Sequence, residues 1–447
     1  MKECCCCTKS KALIILALLL CLGAVWYLSA KGEKRPPNIV VLMLDTLRAD
    51  HLSLYGYERE TTPILDAFAK ENINFNYAIT ASPWTPPSIA TMFTGLYPTA
   101  HGMMPPNSRD QARKMSTQLG EHLETLAEIF QKNGYQTGAV TPNPWMKKEF
   151  GYQQGFDTYK YFHRVRAEKI NEEGIKVLEA FDADQPFLLY LHYLDPHNPY
   201  RPVKEFDIYK GPLKAKSYPE KQTRIIGLYD GEIRYLDAKL GELFEYFKQK
   251  GLYDDLAILI VSDHGEQFME HGYQGHGHNT YNEEAHVPLM LKYKNRSYAV
   301  DTTVSTIDVF PTALELAGID IPANTQGISL LNTQALKQRS GVLSEVMRRQ
   351  NEKAFVNSLG DKVIFKYDPK DGLVLQPGQK TLSASLYNRF EDYAEVAPIR
   401  DDALTKILTT DFHALYQETL KRKPAVVGEE VEIGEDTVEE LESLGYL

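Results

Sequence analysis

Three apolar runs in this chain end on residues that carry chemistry. Ile-Val-Val-Leu-Met-Leu, after Asn38, is aliphatic at every position and stops at Asp45. A run with no polar alternation has no solvent face, so it predicts a strand buried on both sides of a parallel sheet. The pattern recurs over 186–192, leading into Asp195 and His197, and over 256–262, which ends in Asp263-His264-Gly265. Between these runs, apolar residues at helical spacing predict helices over 116–133, closed by Gly134, and over 223–250, closed by Gly251. Alternating strand, loop and helix predict an α/β domain over 37–335, with a largely parallel sheet flanked by helices. Ligands gather at the C-terminal strand ends of such sheets, where Asp45, Asp195, His197, Asp263 and His264 all fall.

In Trp84-Thr85-Pro86-Pro87-Ser88, Thr85 reads as a helix N-cap ahead of a helix running toward Gly95. A hydroxyl there sits beside backbone N–H groups with no intrahelical partner, a natural seat for a nucleophile attacking an anionic ester. Beyond residue 335 the pattern shifts to short strand-like pieces (354–358, 362–366) and turn signals, then a polar, acidic helical tail. This predicts a smaller C-terminal α+β subdomain over 336–447.

The N-terminus has its own pattern. A basic, Cys-rich tail (1–11) precedes an apolar run over 12–30, and a polar linker follows over 31–36. The run is long enough to cross a bilayer as a helix, and it reads either as a signal anchor or as a signal peptide cut after Ala30. Both readings put the rest of the chain outside the cytoplasm, on the periplasmic or extracellular face. All five cysteines precede residue 22, so no disulfide can brace the folded part. A net charge of −11 argues against a nucleic-acid partner, since no excess of Lys and Arg offsets phosphates.

Asp45, Asp263 and His264 offer two carboxylates and an imidazole, with the Thr85 hydroxyl able to complete the set. Hard oxygen donors with one nitrogen suit one divalent ion, Ca²⁺, Mn²⁺, Mg²⁺ or Zn²⁺, without choosing among them. Such an ion lowers the pKa of a bound hydroxyl and offsets charge on a substrate oxygen. His197, His276 or His278 are candidates to hydrogen-bond the substrate or protonate its leaving group. Asp195, His197 and His278 are candidates for a second metal, but one ion is expected.

The segment PNIVVLMLDTLRADHLSLYGY resembles the opening of the sulfatase branch of the alkaline phosphatase superfamily. WTPPSIATMFTGLYPTAHG, HYLDPHNPY, VSDHGEQFMEHG, GHGHNTYNEEAHVPLML and STIDVFPTALELAGI follow in the family's order, and SASLYNRFEDYAEVAP and LESLGYL resemble its C-terminal pieces. The resemblance implies an alkaline-phosphatase-like fold, Asp45, Thr85, Asp263 and His264 as metal ligands, and Thr85 as nucleophile. It also exposes departures. Sulfatases carry Cys or Ser at the nucleophile, oxidised to formylglycine, and Arg four residues on; here those positions are Thr85 and Ile89. The family's GKWHLG-like segment is replaced by AVTPNPWMKKEFG, and the Lys shortly before the tyrosine matching Tyr281 gives way to His276 and His278.

Threonine nucleophiles occur in phosphodiesterases and in phosphoethanolamine and glycerophosphate transferases of the superfamily. The expectation is therefore a membrane-anchored, metal-dependent hydrolase of phosphate or phosphonate esters, phosphodiesterase-like, acting on a small-molecule, lipid or envelope ester. The alternatives are a sulfatase working with an unmodified threonine, a transferase, and a catalytically silent anchored member.

Overall fold

Ile39–Leu44 is the strand β1 at the centre of the sheet, and both of its faces are buried. Ile39, Val41 and Met43 pack on one side, with apolar residues of the helices Thr85–Thr94, Leu126–Lys132 and Val309–Ala317. Val40, Leu42 and Leu44 pack on the other, with residues of Pro63–Glu71, Ala167–Ala180 and Glu220–Gln249. The unbroken apolar run is thus two alternating core stripes on one strand. Truncating a side chain such as Leu42 to Ala removes about 2–5 kcal/mol of stability.

The structure, a computed structural model, describes residues 35–104, 114–210, 220–348, 350–372, 374–375, 379–423 and 430–446. The predicted tail 1–11 and apolar run 12–30 lie outside them. No helix among the described residues is long and apolar enough to cross a membrane. Residues from Pro37 onward form one compact unit.

The other strands of the main sheet are β2 (Ile73–Ile79), β3 (Gln136–Thr141), β4 (Thr158–Tyr161), β5 (Phe187–Tyr193), β6 (Ala257–Val261), β7 (His286–Lys292), β8 (Tyr298–Val300) and β9 (Val304–Ser305). Their order is β8-β2-β7-β6-β1-β5-β3-β4, with β9 also on β2. Only β7 runs against its described neighbours; every other described pairing in this sheet is parallel. A second sheet of four antiparallel strands follows: Gly341–Met347, Asn351–Asn357, Asp361–Tyr367 and Ser383–Asn388. Helix Asp402–Lys421 lays Leu408, Phe412 and Tyr416 on it. This is the predicted fold class, a largely parallel α/β sheet with a smaller C-terminal α+β part.

Three local expectations are corrected. The helix predicted over 116–133 is only Leu126–Lys132, begun by a capping box between Thr125 and Glu128. Met115–Thr117 is instead a short strand, paired with Glu430–Glu432 near the end of the chain. The distant strand supplies hydrogen bonds that a helix would otherwise have had to satisfy. Thr85 is the first residue of its helix rather than its cap; Trp84 holds the cap position in extended conformation. The acidic tail is not one helix. It contains Asp402–Lys421, the strand Glu430–Glu432 and a last helix, Glu435–Ser443.

Candidate metal centre

Strand parity builds the site. Asp45 continues the Ile39–Val41–Met43 stripe, Asp263 continues Ala257–Leu259–Val261, and His192 continues Leu188–Tyr190. All three stripes belong to the core shared with the Thr85–Thr94 helix. Met43 is in register with both His192 and Val261, so the three strands end level with one another. Ligand atoms of Asp45, Asp263 and His264 lie within 4.8 Å of one another, all buried.

Each candidate ligand is fastened by one atom and leaves the other unused. Asp45 Oδ2 accepts from Asn143 Nδ2 at 2.7 Å and meets His192 Nε2 at 2.9 Å, while its Oδ1 is buried with no hydrogen-bond partner. Asp263 Oδ1 accepts from the backbone N–H of Thr46 (3.2 Å) and His264 (2.9 Å), and its Oδ2 is likewise unpartnered. His264 Nδ1 donates to the Gly265 carbonyl at 2.9 Å, which leaves the lone pair of Nε2 for the site. Buried carboxylate oxygens without partners are costly unless something positive neutralises them, and this donor set fits a divalent cation. Gly265 is required beside them, because a Cβ there would lie 2.0 Å from the Glu283 carbonyl oxygen.

Thr85 stands at the start of its helix with Oγ1 3.1 Å from His264 Nε2. Ser88 and Thr80 both donate to the Asp263 carbonyl, at 2.8 and 2.5 Å, and so tie this helix and the end of β2 to the Asp263 loop. Ile89, one turn further, is fully buried in the apolar core, where an Arg would have no counter-charge. The electrostatics are those of an incomplete site. Burial alone would raise the Asp45 pKa, but the bond and charge of His192 outweigh it and hold the carboxyl below its usual range. Burial and the charge of Asp45 push Asp263 upward. A divalent cation held by these carboxylates would offset the repulsion of Asp45 on Asp263.

The three histidines named from the sequence separate. His276 lies beside His264, with ring centroids 4.4 Å apart, and His197 is 5.1 Å from His276. Burial drives His197 down to about 4 and His276 well below its ordinary value, favouring the uncharged imidazole in both. His278 instead stacks on Tyr273 and meets the Gln274 carbonyl, on the wall of a cavity of about 290 Å³ that also borders His276. Asp195 is turned away as well. Its Oδ2 accepts from the Ala167 N–H at the start of a helix, and it lines a separate cavity of about 240 Å³ with Glu232 and Arg166. Among the described residues, Asp45, Asp263 and His264 are the one group of three able to hold an ion.

Four residues of the site escaped sequence reasoning. His192 and Asn143 brace Asp45, and strand parity followed along β5 and past the end of β3 would have found them. Glu266 accepts from or donates to His276 Nδ1 at 3.1 Å, and burial pushes it up to about 8. Tyr446 reaches the site from the end of the chain, its hydroxyl 3.4 Å from Thr85 Oγ1; the LESLGYL resemblance marked the stretch but gave the tyrosine no role.

Several known proteins resemble this chain in sequence and fold. A family model described as Sulfatase matches residues 37–319. The ulvan-active sulfatase of Formosa agariphila is 26% identical over 355 residues, covering 70% of this chain and 68% of that protein. An arylsulfatase of Clostridium perfringens is 25% identical over 382 residues, covering 66% of this chain and 77% of the relative. The crystal structure of a phosphonate monoester hydrolase of Agrobacterium radiobacter superposes with a TM-score of 0.64 at 18% identity, over 86% of this chain and 96% of that one. At that identity the likeness concerns the fold.

Proposed function

The chain belongs to the sulfatase family, as an ester hydrolase of the alkaline phosphatase superfamily, and within it we propose that Thr85 attacks phosphate or phosphonate esters. The observation that carries this reading is the Thr85 hydroxyl, 3.1 Å from His264 Nε2 and facing the same centre as the unpartnered oxygens of Asp45 and Asp263. No cysteine follows residue 21, and threonine cannot become formylglycine. The attacking group is then an alcohol.

Asp45, Asp263, His264 and Thr85 would hold a divalent ion, whose Lewis-acid charge would lower the pKa of the hydroxyl and offset negative charge on the ester. The residues do the rest. Thr85 Oγ, its hydroxyl proton given up to solvent water, forms a bond to phosphorus as the bond from phosphorus to the ester oxygen breaks, giving a phosphothreonine and, once the leaving oxygen is protonated, an alcohol. His276, with Nδ1 on Glu266 and Nε2 unpartnered, is placed to give the leaving oxygen its proton, which Glu266 replaces. Water then opens the phosphothreonine. His192 and Asn143 keep Asp45 oriented throughout.

The test is a parallel assay of the full chain in detergent with Mn²⁺, Zn²⁺ or Ca²⁺. The substrates are an aryl phosphodiester, an aryl phosphonate, an aryl phosphate and an aryl sulfate, with Thr85→Ala as the blank. Turnover of the diester or phosphonate, lost in the variant, is the expected result. Turnover of the sulfate alone favours the second reading, a sulfatase with a plain threonine, which the names of the sequence relatives support.

We further place the enzyme at a membrane through residues 12–30, facing away from the cytoplasm, with a lipid or envelope ester as substrate. The apolar run supports this placement. Recovery of the protein in the soluble cytoplasmic fraction would overturn it.

A further inference from the structure

The last residues of the chain end a helix and begin a wall of the active site. Helix Glu435–Ser443 closes with the Gly445 N–H donating to the Glu442 carbonyl (3.0 Å) and the Tyr446 N–H to the Leu441 carbonyl (3.0 Å). Gly445 has φ +79°. This is a Schellman turn, and the hydrophobic contact that usually accompanies it falls here on two buried residues, Leu441 and Tyr446. The turn reverses the chain and leaves the Tyr446 ring buried in the protein.

The segment is fastened on several sides. Glu430–Glu432 pairs with Met115–Thr117, Lys147 bridges Glu440 at 2.6 Å, Thr437 bonds Lys147 and Glu149, and Arg348 donates to the Tyr446 carbonyl. The Tyr446 ring lies against Trp145, His197 and His276, at 5.9, 4.9 and 5.5 Å between centroids. Its hydroxyl accepts from Asn143 Nδ2 at 3.1 Å, the same amide that braces Asp45. The phenolic hydrogen is left with only the long 3.4 Å contact to Thr85 Oγ1. A fully buried phenol so weakly used, next to the attacking oxygen, is a donor waiting for an acceptor. Leu444 borders both the 290 Å³ cavity, beside His276, and the 240 Å³ cavity, beside His197, so the tail forms part of the wall of each.

We propose that Tyr446 is a catalytic residue, donating its phenolic hydrogen bond to a non-bridging oxygen of the ester as Thr85 attacks. The proposal rests on Thr85 as nucleophile. Donors placed where charge develops act in the transition state more than in the ground state. The loss therefore falls on kcat more than on KM.

The test compares wild type, Tyr446→Phe and Gly445→Ala as full chains. Turnover is read on the best aryl ester, the affinity of orthovanadate on the folded, metal-loaded fraction, and metal content alongside. Tyr446→Phe is expected to lower kcat and weaken orthovanadate binding by about 10- to 100-fold, the scale of one hydrogen bond to a charged group, with metal content unchanged. Gly445→Ala, which strains the turn, is expected to change both readouts in the same direction. Unchanged kcat and orthovanadate affinity in Tyr446→Phe would overturn the proposal, as would a gain of activity, which would make the tail a plug. If Thr85→Ala is inactive while Tyr446→Phe behaves as wild type, this inference alone fails. Full turnover in Thr85→Ala would remove the nucleophile reading beneath it.

Discussion

On one side of Thr85 stand Asp45, Asp263 and His264, at or just beyond the ends of strands in the middle of the main sheet. On the other stands Tyr446, carried by a nine-residue helix at the end of the chain. The first group is welded to the core, since β1 and β6 are fully buried and hydrogen-bonded on both edges. The second is joined by a three-residue strand pairing, one turn, a few partly exposed polar contacts and the buried side chains of Ile433, Leu441, Leu444 and Tyr446. Rigid ligands suit a metal, which tolerates little displacement, whereas a donor that meets an ester only when it is bound can sit on a separable element.

The comparison breaks most visibly at its centre. Thr85→Ala should lower turnover by about 10⁴-fold or more while the fold persists. Retained turnover in a rate assay would show that the two sides do not meet at Thr85. Ile89→Arg tests whether a family-like cation can be restored on the metal side. The side chain enters an apolar core with no counter-charge, so a loss of roughly 3–5 kcal/mol in urea unfolding is expected, not a gain of sulfate hydrolysis. His192→Ala leaves the ligands in place but removes a brace from Asp45. Calorimetry should find metal affinity reduced by about 10- to 100-fold.

The smallest change addresses the tail. Lys147→Met removes a partly exposed ion pair to Glu440, and the expected cost is about 1 kcal/mol or less in global stability. Hydrogen exchange should nevertheless quicken over 430–446 and not over Ile39–Leu44. Equal protection of both regions would show that the tail is as much a part of the core as the sheet.

Local pattern carried a good part of the molecule. The strands at 38–44, 186–192 and 256–262 appear within one residue of their expected limits, because an apolar run flanked by polar turns has few other ways to be buried. The helix expected over 223–250 appears as Glu220–Gln249 for the same reason. The stretch 116–133 misled because its first part spends its hydrogen bonds on partners far away in sequence. Ser116 pairs with Val431, and the Leu119 N–H donates to the Phe150 carbonyl. Helical spacing in a sequence says nothing of such competitors.

The sequence by itself determined the sheet, the level at which β1 and β6 end, and hence the meeting of Asp45 with Asp263 and His264. Side-chain alternation is a local rule, and parallel strands buried on both faces leave little freedom of register. Tertiary structure alone decided which residues complete the site. His276 joins His264 while His278 faces the cavity wall, Asn143 and His192 share one oxygen of Asp45, and Tyr446 arrives from the far end of the chain. These are contacts between segments that no periodicity relates. They exist because the folded core brings the segments together and a buried polar atom must find a partner there.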